Sequence, residues 1–188
     1  DKRGYIITNP RLQSSVSNIY ACGDVVGPYQ FTHMAGYQAG IIIRNCIFRL
    51  RAKVDYSAVP WTTFTSPEVA HVGYTEPWAK EEGLYHSHVV VDLNRMDRAK
   101  SENDRDGFLK LILGKKNRII GATFVGNKSG EIIPIATLAI LQKLTPNTFM
   151  NMIFSYPTEA EIFKFAALDL AKKGFKPWMK NLIKTILL

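Results

Sequence analysis

The order of the apolar runs constrains this chain most. Between residues 61 and 125, five short stretches (Trp61–Phe64, His71–Tyr74, His86–Asp92, Phe108–Leu113 and Ile119–Val125) are rich in β-branched and aromatic side chains. Two longer stretches with helical spacing follow, Glu131–Lys143 and Glu159–Lys172. Strands grouped together and then helices grouped together predict an α+β domain, an antiparallel sheet flanked by helices. Glu76–Glu82 reads as a short charged helix within the series.

Residues 1 to about 50 have a different rhythm. Tyr5–Ile7 reads as a short strand, and Asn18–Cys22 as a second, apolar and buried, stopped by Gly23-Asp24. From about Thr32 to Leu50 the pattern is helical. Arg51–Pro60 mixes charge, Ser and Pro without periodicity, as a linker does. The expected organisation is a strand-helix unit at 1–52 and a second domain at 55–188, the latter ending in an amphipathic tail from about 174.

Composition excludes several classes. Hydrophobic residues make up 46% and charged residues 21%, the usual globular mix, which disfavours a disordered or fibrous chain. Lys and Arg outnumber Asp and Glu by 24 to 16, and the resulting +8 favours anionic partners in general. Cys22 and Cys46 are the only cysteines; both fall in segments expected to be buried, and free thiols suit a reducing cytoplasm. With no CxxC, no CxxxxC and no Cys/His cluster, no metal site is expected. The longest apolar runs, such as Ile132–Leu141, are too short to span a bilayer. The opening DKRGYIITNP lacks an initiator methionine, so a piece of a longer chain is expected.

The stretch IYACGDVVGPYQFTHMAGYQAG concentrates glycines, one aspartate and one histidine at a β-to-α transition. Gly23-Asp24 serves as an ordinary turn or as more than that. Read with its surroundings, it resembles the second flavin-binding motif of the pyridine nucleotide-disulfide oxidoreductases, the family of dihydrolipoamide dehydrogenase, glutathione reductase and mercuric reductase. The resemblance implies that Asp24 accepts hydrogen bonds from the ribitol chain of FAD and that Gly23 lets the cofactor approach the backbone. It places Thr32, His33, Met34 and Ala35 at the start of a helix whose positive end faces the flavin ring, with the Met34 and Ala35 amides as donors and His33 as a structural hydrogen bonder. The likeness continues through Val59–Gly83, which is similar to the family's P-x-x-x-F-T-x-P-E-x-A-x-V-G-x-T-E, through Arg98-Ala99, and through Gly107–Glu131.

Near the end, Tyr156-Pro157-Thr158-Glu159-Ala160-Glu161 aligns with the family's H-P-T-x-x-E. The resemblance makes Tyr156 and Glu161 the catalytic candidates and the Tyr156–Pro157 bond cis. A phenol with an ordinary pKa near 10 is a poor base at neutral pH, so Tyr in the place of His argues against ordinary dithiol exchange; the Tyr-Pro-Thr variant resembles the mercuric-reductase-like branch instead. Thr158 and Glu161 also fit a capping box. The resemblance implies a homodimer, without nucleic acid, of a cytoplasmic flavoprotein that moves electrons from NAD(P)H through FAD to a disulfide, a metal or a related acceptor. The family's G-x-G-x-x-G and its cysteine pair are absent from these residues, and a non-catalytic dimerisation or binding module is the alternative. In the tail, Phe175, Trp178, Met179, Leu182, Ile183, Ile186 and Leu187 recur at helical spacing opposite Lys176, Lys180 and Lys184. Such a stripe packs on protein or lies on an anionic membrane surface.

Overall fold

The computed structural model describes residues 1–174, so the tail pattern lies outside the described residues. The chain divides into two compact units, Asp1–Tyr56 and Ser57–Leu188.

The first unit holds one α-helix, α1 (Thr32–Cys46), preceded by a 3-10 turn at Gly23–Val26. The two runs expected as strands are extended but build no ladder. Ile6 N–H donates to the Val25 carbonyl at 2.8 Å, and a single bridge joins Gln13 and Tyr20. A strand is defined by its paired neighbour, and an unpaired one leaves its apolar residues in the open. Ile7 and Ile19 are accordingly 72% and 53% exposed. Helix α1 stops at Cys46 rather than near Leu50, since Arg49 and Arg51 take φ of 54° and 53°, which a right-handed helix cannot continue.

The cysteines are not core residues: Cys22 is half-buried and Cys46 is exposed. The buried stripe of α1 is Met34, Gln38 and Ile41. At roughly 100° per residue Cys46 falls about 120° from Met34, off that stripe.

The second unit is built on a five-stranded antiparallel sheet in the order β1-β2-β5-β4-β3. The strands are β1 (Pro60–Thr63), β2 (Glu68–Gly73), β3 (Ser87–Asp92), β4 (Phe108–Leu113) and β5 (Ile119–Gly126). Helix α2 (Glu76–Glu81) follows β2, and Thr75 caps it by accepting the Trp78 N–H at 3.4 Å. Short helices α3 (Asp97–Ser101) and α5 (Asn147–Met150) escaped the sequence pattern because neither is long enough to show a period. Helices α4 (Ser129–Leu141) and α6 (Ile162–Gly174) complete the unit.

Register explains the core. Ala70 pairs with Phe124, Phe124 with Leu109, and Leu109 with Val91, while Val72, Ala122, Leu111 and Val89 form a second row. Side chains two apart share a face, so these rows stack side by side, and the buried residues of α4 (Ile132, Ile133, Ala136, Ala139) and α6 (Ile162, Phe163, Ala166, Ala167) join them in one cluster. Phe124 and Phe163 are fully buried, each contributing about 1.5–3 kcal/mol by leaving water. Ser129 Oγ donates to the Glu68 and Gly126 carbonyls at 3.0 and 2.8 Å, and the Gly130 N–H donates to Glu68 Oε2 at 3.0 Å, so β2 pins the start of α4.

His71 lies buried inside the sheet. Its Nδ1 lies 2.8 Å from Thr123 Oγ1 and its Nε2 3.0 Å from the Gly73 carbonyl, and burial lowers its pKa. The closest backbone approach is at Gly121, where an added Cβ would sit 1.9 Å from the Tyr74 carbonyl oxygen. Gly121→Ala is therefore expected to cost about 3 kcal/mol through forced backbone displacement, measured by urea unfolding. A loss below about 1 kcal/mol would show that the β2–β5 end can separate freely.

Candidate functional site

In the first unit the Gly23-Asp24 turn and the start of α1 are neighbours. Gly23 has φ of 79°, and a Cβ there would lie 3.3 Å from Ala35 Cβ, so the turn sits directly against the first turn of the helix. Asp24 is exposed, and its carboxylate makes no hydrogen bond or ion pair among the described residues. Thr32 and His33 are exposed, and the His33 ring stacks on Phe31 with centroids 5.2 Å apart. The Met34 and Ala35 amides both donate to the Phe31 carbonyl, at 3.0 and 3.1 Å. Those two donors, expected to be directed outward, are thus used inside the first turn, which itself begins without a side-chain cap.

Gln38 was missed by sequence reasoning. It is buried on the inner stripe of α1, its Oε1 accepting the Gly23 N–H at 2.6 Å and its Nε2 donating to Tyr56 Oη at 2.9 Å. Tyr37 Oη accepts the Asp55 N–H at 2.8 Å. A polar residue four positions from Met34, on a face that otherwise reads as apolar, was the available signal.

In the second unit Tyr156 and Glu161 lie near one another but do not bond. Tyr156 Oη donates to Asp97 Oδ2 at 3.0 Å, and Lys100 Nζ donates to Asp97 Oδ1 at 3.0 Å. Glu161 instead accepts the Thr158 N–H at 3.3 Å in a capping box, while Thr158 Oγ1 donates to the Ser155 carbonyl at 2.8 Å. The carboxylate partner of Tyr156 is therefore Asp97, at the start of α3. The hydrogen bond to Asp97 raises the Tyr156 pKa, its charge adding to the effect, and Tyr156 stands 71% exposed. The Tyr156–Pro157 bond is cis.

Beside this pair lies a charged cluster that the motif does not announce. Arg98 and Lys128 both bind Glu102 and hold its pKa down at about 2. Glu159 is the opposite case: 3% exposed, with neither oxygen accepting a hydrogen bond. Lys128 Nζ stands 3.5 Å from its Oε1, yet burial dominates and pushes the Glu159 carboxyl up. Arg98 Nε is likewise buried without a partner among the described residues. Among the described residues no three His, Cys, Asp or Glu side chains gather to hold a metal ion, and no helix is long and apolar enough to cross a membrane.

Below the ordinary glutamate value of 4.5, folded and unfolded chains both carry the Glu159 proton. Between that value and the raised folded one, the unfolded chain releases its proton first, so stability falls as pH rises through this window. Glu159→Gln is expected to melt a few degrees above the parent at neutral pH, about 1 kcal/mol, and level with it near about pH 4. A parent more stable at neutral pH would show that attraction to Lys128 outweighs burial. Asp97→Asn is expected to lower the pH at which Tyr156 ionises, read by ultraviolet titration as the difference from a Tyr156→Phe control. An unchanged titration would sink the Tyr156–Asp97 pair.

Residues 59–167 match the model of the pyridine nucleotide-disulphide oxidoreductase dimerisation domain. A mercuric reductase of Staphylococcus aureus is 38% identical over 172 residues, covering 91% of this chain and 31% of the relative. A dihydrolipoyl dehydrogenase of Chlamydia muridarum is 35% identical over 169 residues, covering 89% and 36%. Among solved structures, the Cu(II) complex of the HOCl-induced flavoprotein disulfide reductase RclA from Escherichia coli superposes with a TM-score of 0.83 at 28% identity, covering 90% of this chain and 39% of that one. The chain spans about a third of the length of the curated relatives it matches. By the domain match, which takes in more than half of its residues, the chain belongs to the pyridine nucleotide-disulfide oxidoreductase family and carries that family's dimerisation domain.

Proposed function

We propose that this chain is the C-terminal part of an FAD-dependent oxidoreductase that passes electrons from NAD(P)H through the flavin to a disulfide, a metal ion or a related acceptor. The 38% identity to a mercuric reductase over 91% of the chain carries this reading, since a match of that extent takes in both the Gly23-Asp24 turn and the Tyr156 segment. On this proposal residues 1–52 complete a flavin-binding domain and residues 55–188 form the interface of a homodimer.

The residues of the first unit suit one wall of a flavin site. Asp24 offers an exposed carboxylate without a partner among the described residues, suited to accept from the hydroxyls of the cofactor's sugar-alcohol chain. Gly23, buried against Ala35, lets the turn that presents Asp24 lie close to the first turn of α1. The start of α1, at Thr32 and His33, supplies the positive end of a helix dipole; with Met34 and Ala35 donating to Phe31, it acts on a negatively charged ring mainly through that dipole. His33, exposed in the first turn of α1, stacks on Phe31. A bound flavin supplies the two-electron store between nicotinamide and acceptor.

Tyr156 serves this chemistry as a neutral group. Donating to Asp97 and with its pKa raised, it keeps its proton through the neutral range and cannot act as the base of a dithiol exchange. The acceptor is therefore one that needs no proton removed at residue 156, and Glu161 acts as a helix cap. Residues 1–188 alone are expected to be colourless and to gain little thermal stability from FAD, because one wall binds weakly. The whole protein is expected to be yellow, dimeric by light scattering and able to oxidise NAD(P)H, with Asp24→Ala losing flavin about tenfold more readily, the loss of one charged hydrogen bond. A colourless whole protein inert toward NAD(P)H leaves the non-catalytic dimerisation module in its place; a monomer overturns the homodimer.

A further inference from the structure

Unpaired cations collect around one hollow of the second unit. A cavity of about 290 Å³ is bounded by Lys116 and Asn117 in the β4–β5 turn, by the segment 145–147 after α4, and by Leu170 and Ala171 of α6. The Ile119 N–H donates to the Leu144 carbonyl at 2.9 Å, tying the first two of these segments together. On the lining segments or within two residues of them stand Lys115, Lys116, Arg118, Lys143, Lys172 and Lys173, all exposed. None of the six forms an ion pair among the described residues. Asp169, the carboxylate that feels Lys172 and Lys173, is already held by Arg95 in a two-pronged pair at 2.5 and 3.1 Å.

Three separate segments thus bring like charges to one end of the domain, over a floor of Pro146, Ala167, Leu170 and Ala171. Like charges repel, so the face calls for an anionic partner. A second copy of the chain carries the same +8. Residues 175–188 contain Lys176, Lys180 and Lys184 and no carboxylate side chain, so their charge does not complement the face either. A nucleic acid would be met by aromatic rings among the cations, and none lines the hollow. Helix α6 leads directly into the tail sequence, whose apolar residues recur at helical spacing opposite lysines, the pattern of a segment that lies on anionic lipid.

We propose that this basic face docks on an anionic phospholipid surface. The inference is independent of the oxidoreductase reading. The full chain is expected to co-sediment with phosphatidylserine-containing vesicles at low salt, to be released at high salt, and to ignore pure phosphatidylcholine. Lys115→Gln, Arg118→Gln and Lys172→Gln together are expected to weaken vesicle binding by about a hundredfold, at roughly fivefold per charge, with an unchanged melting temperature. Should the triple variant not fold, Arg118→Gln with Lys173→Gln is expected to show a smaller loss in the same direction. Undiminished binding by the folded variant assigns adhesion elsewhere and overturns the proposal. So does equal binding to neutral vesicles, release by inorganic phosphate at matched ionic strength, or tighter binding to a single-stranded oligonucleotide.

Discussion

Strand β5 is the member on which the second unit depends. It pairs with β2 on one side and β4 on the other, and its Ala122 and Phe124 sit in the two cross-strand rows that α4 and α6 cover. In the first row the small Ala70 stands beside Phe124, so Phe124 fills space that Ala70 leaves. The same strand supplies Thr123 to His71, and its last residue, Gly126, accepts from the Ser129 hydroxyl that starts α4. Sheet order, core and helix placement are therefore consequences of one register.

Around Tyr156 the decisive quantity is solvent access. Glu102 and Glu159 share Lys128, yet one is driven toward ionisation and the other toward neutrality. Glu102 has two hydrogen-bonded cations at the surface, and Glu159 has one cation at 3.5 Å inside the protein. Desolvation without hydrogen bonds outweighs a single attraction at that range. Tyr156, exposed, is held protonated by its hydrogen bond to Asp97 and then by that carboxylate's charge, more than by burial.

The sheet was legible because its strands alternate and its turns contain Gly, Pro and Asp; β4 lies at Phe108–Leu113, as the pattern placed it. Strand β2 starts earlier than its expected run, at Glu68, since pairing with Gly126 of β5 extends the ladder through a polar residue. In the first unit Tyr5–Ile7 and Asn18–Cys22 have strand composition yet build no ladder, because composition cannot supply a neighbour. At the candidate site, Gly23, Asp24 and the helix start were visible as a motif, as was the capping box of Thr158 and Glu161. Asp97 and Gln38 were not, since Asp97 meets Tyr156 across 59 residues and Gln38 reaches Gly23 across 15, and no local spacing encodes such pairs.

Gln38 shows what one amide can make indispensable. Its oxygen takes the Gly23 N–H and its nitrogen gives to Tyr56 Oη, so the two ends of a single planar group have opposite duties. Glutamate, nearly the same shape, could do the first and would leave the phenol to turn around and become the donor. Leucine, nearly the same volume, could do neither. Residue 38 is thus sensitive to the direction of polarity rather than to size. The turn that presents Asp24 and the last residue of the first unit share one rigid lever, and its reversal would be felt at both ends at once.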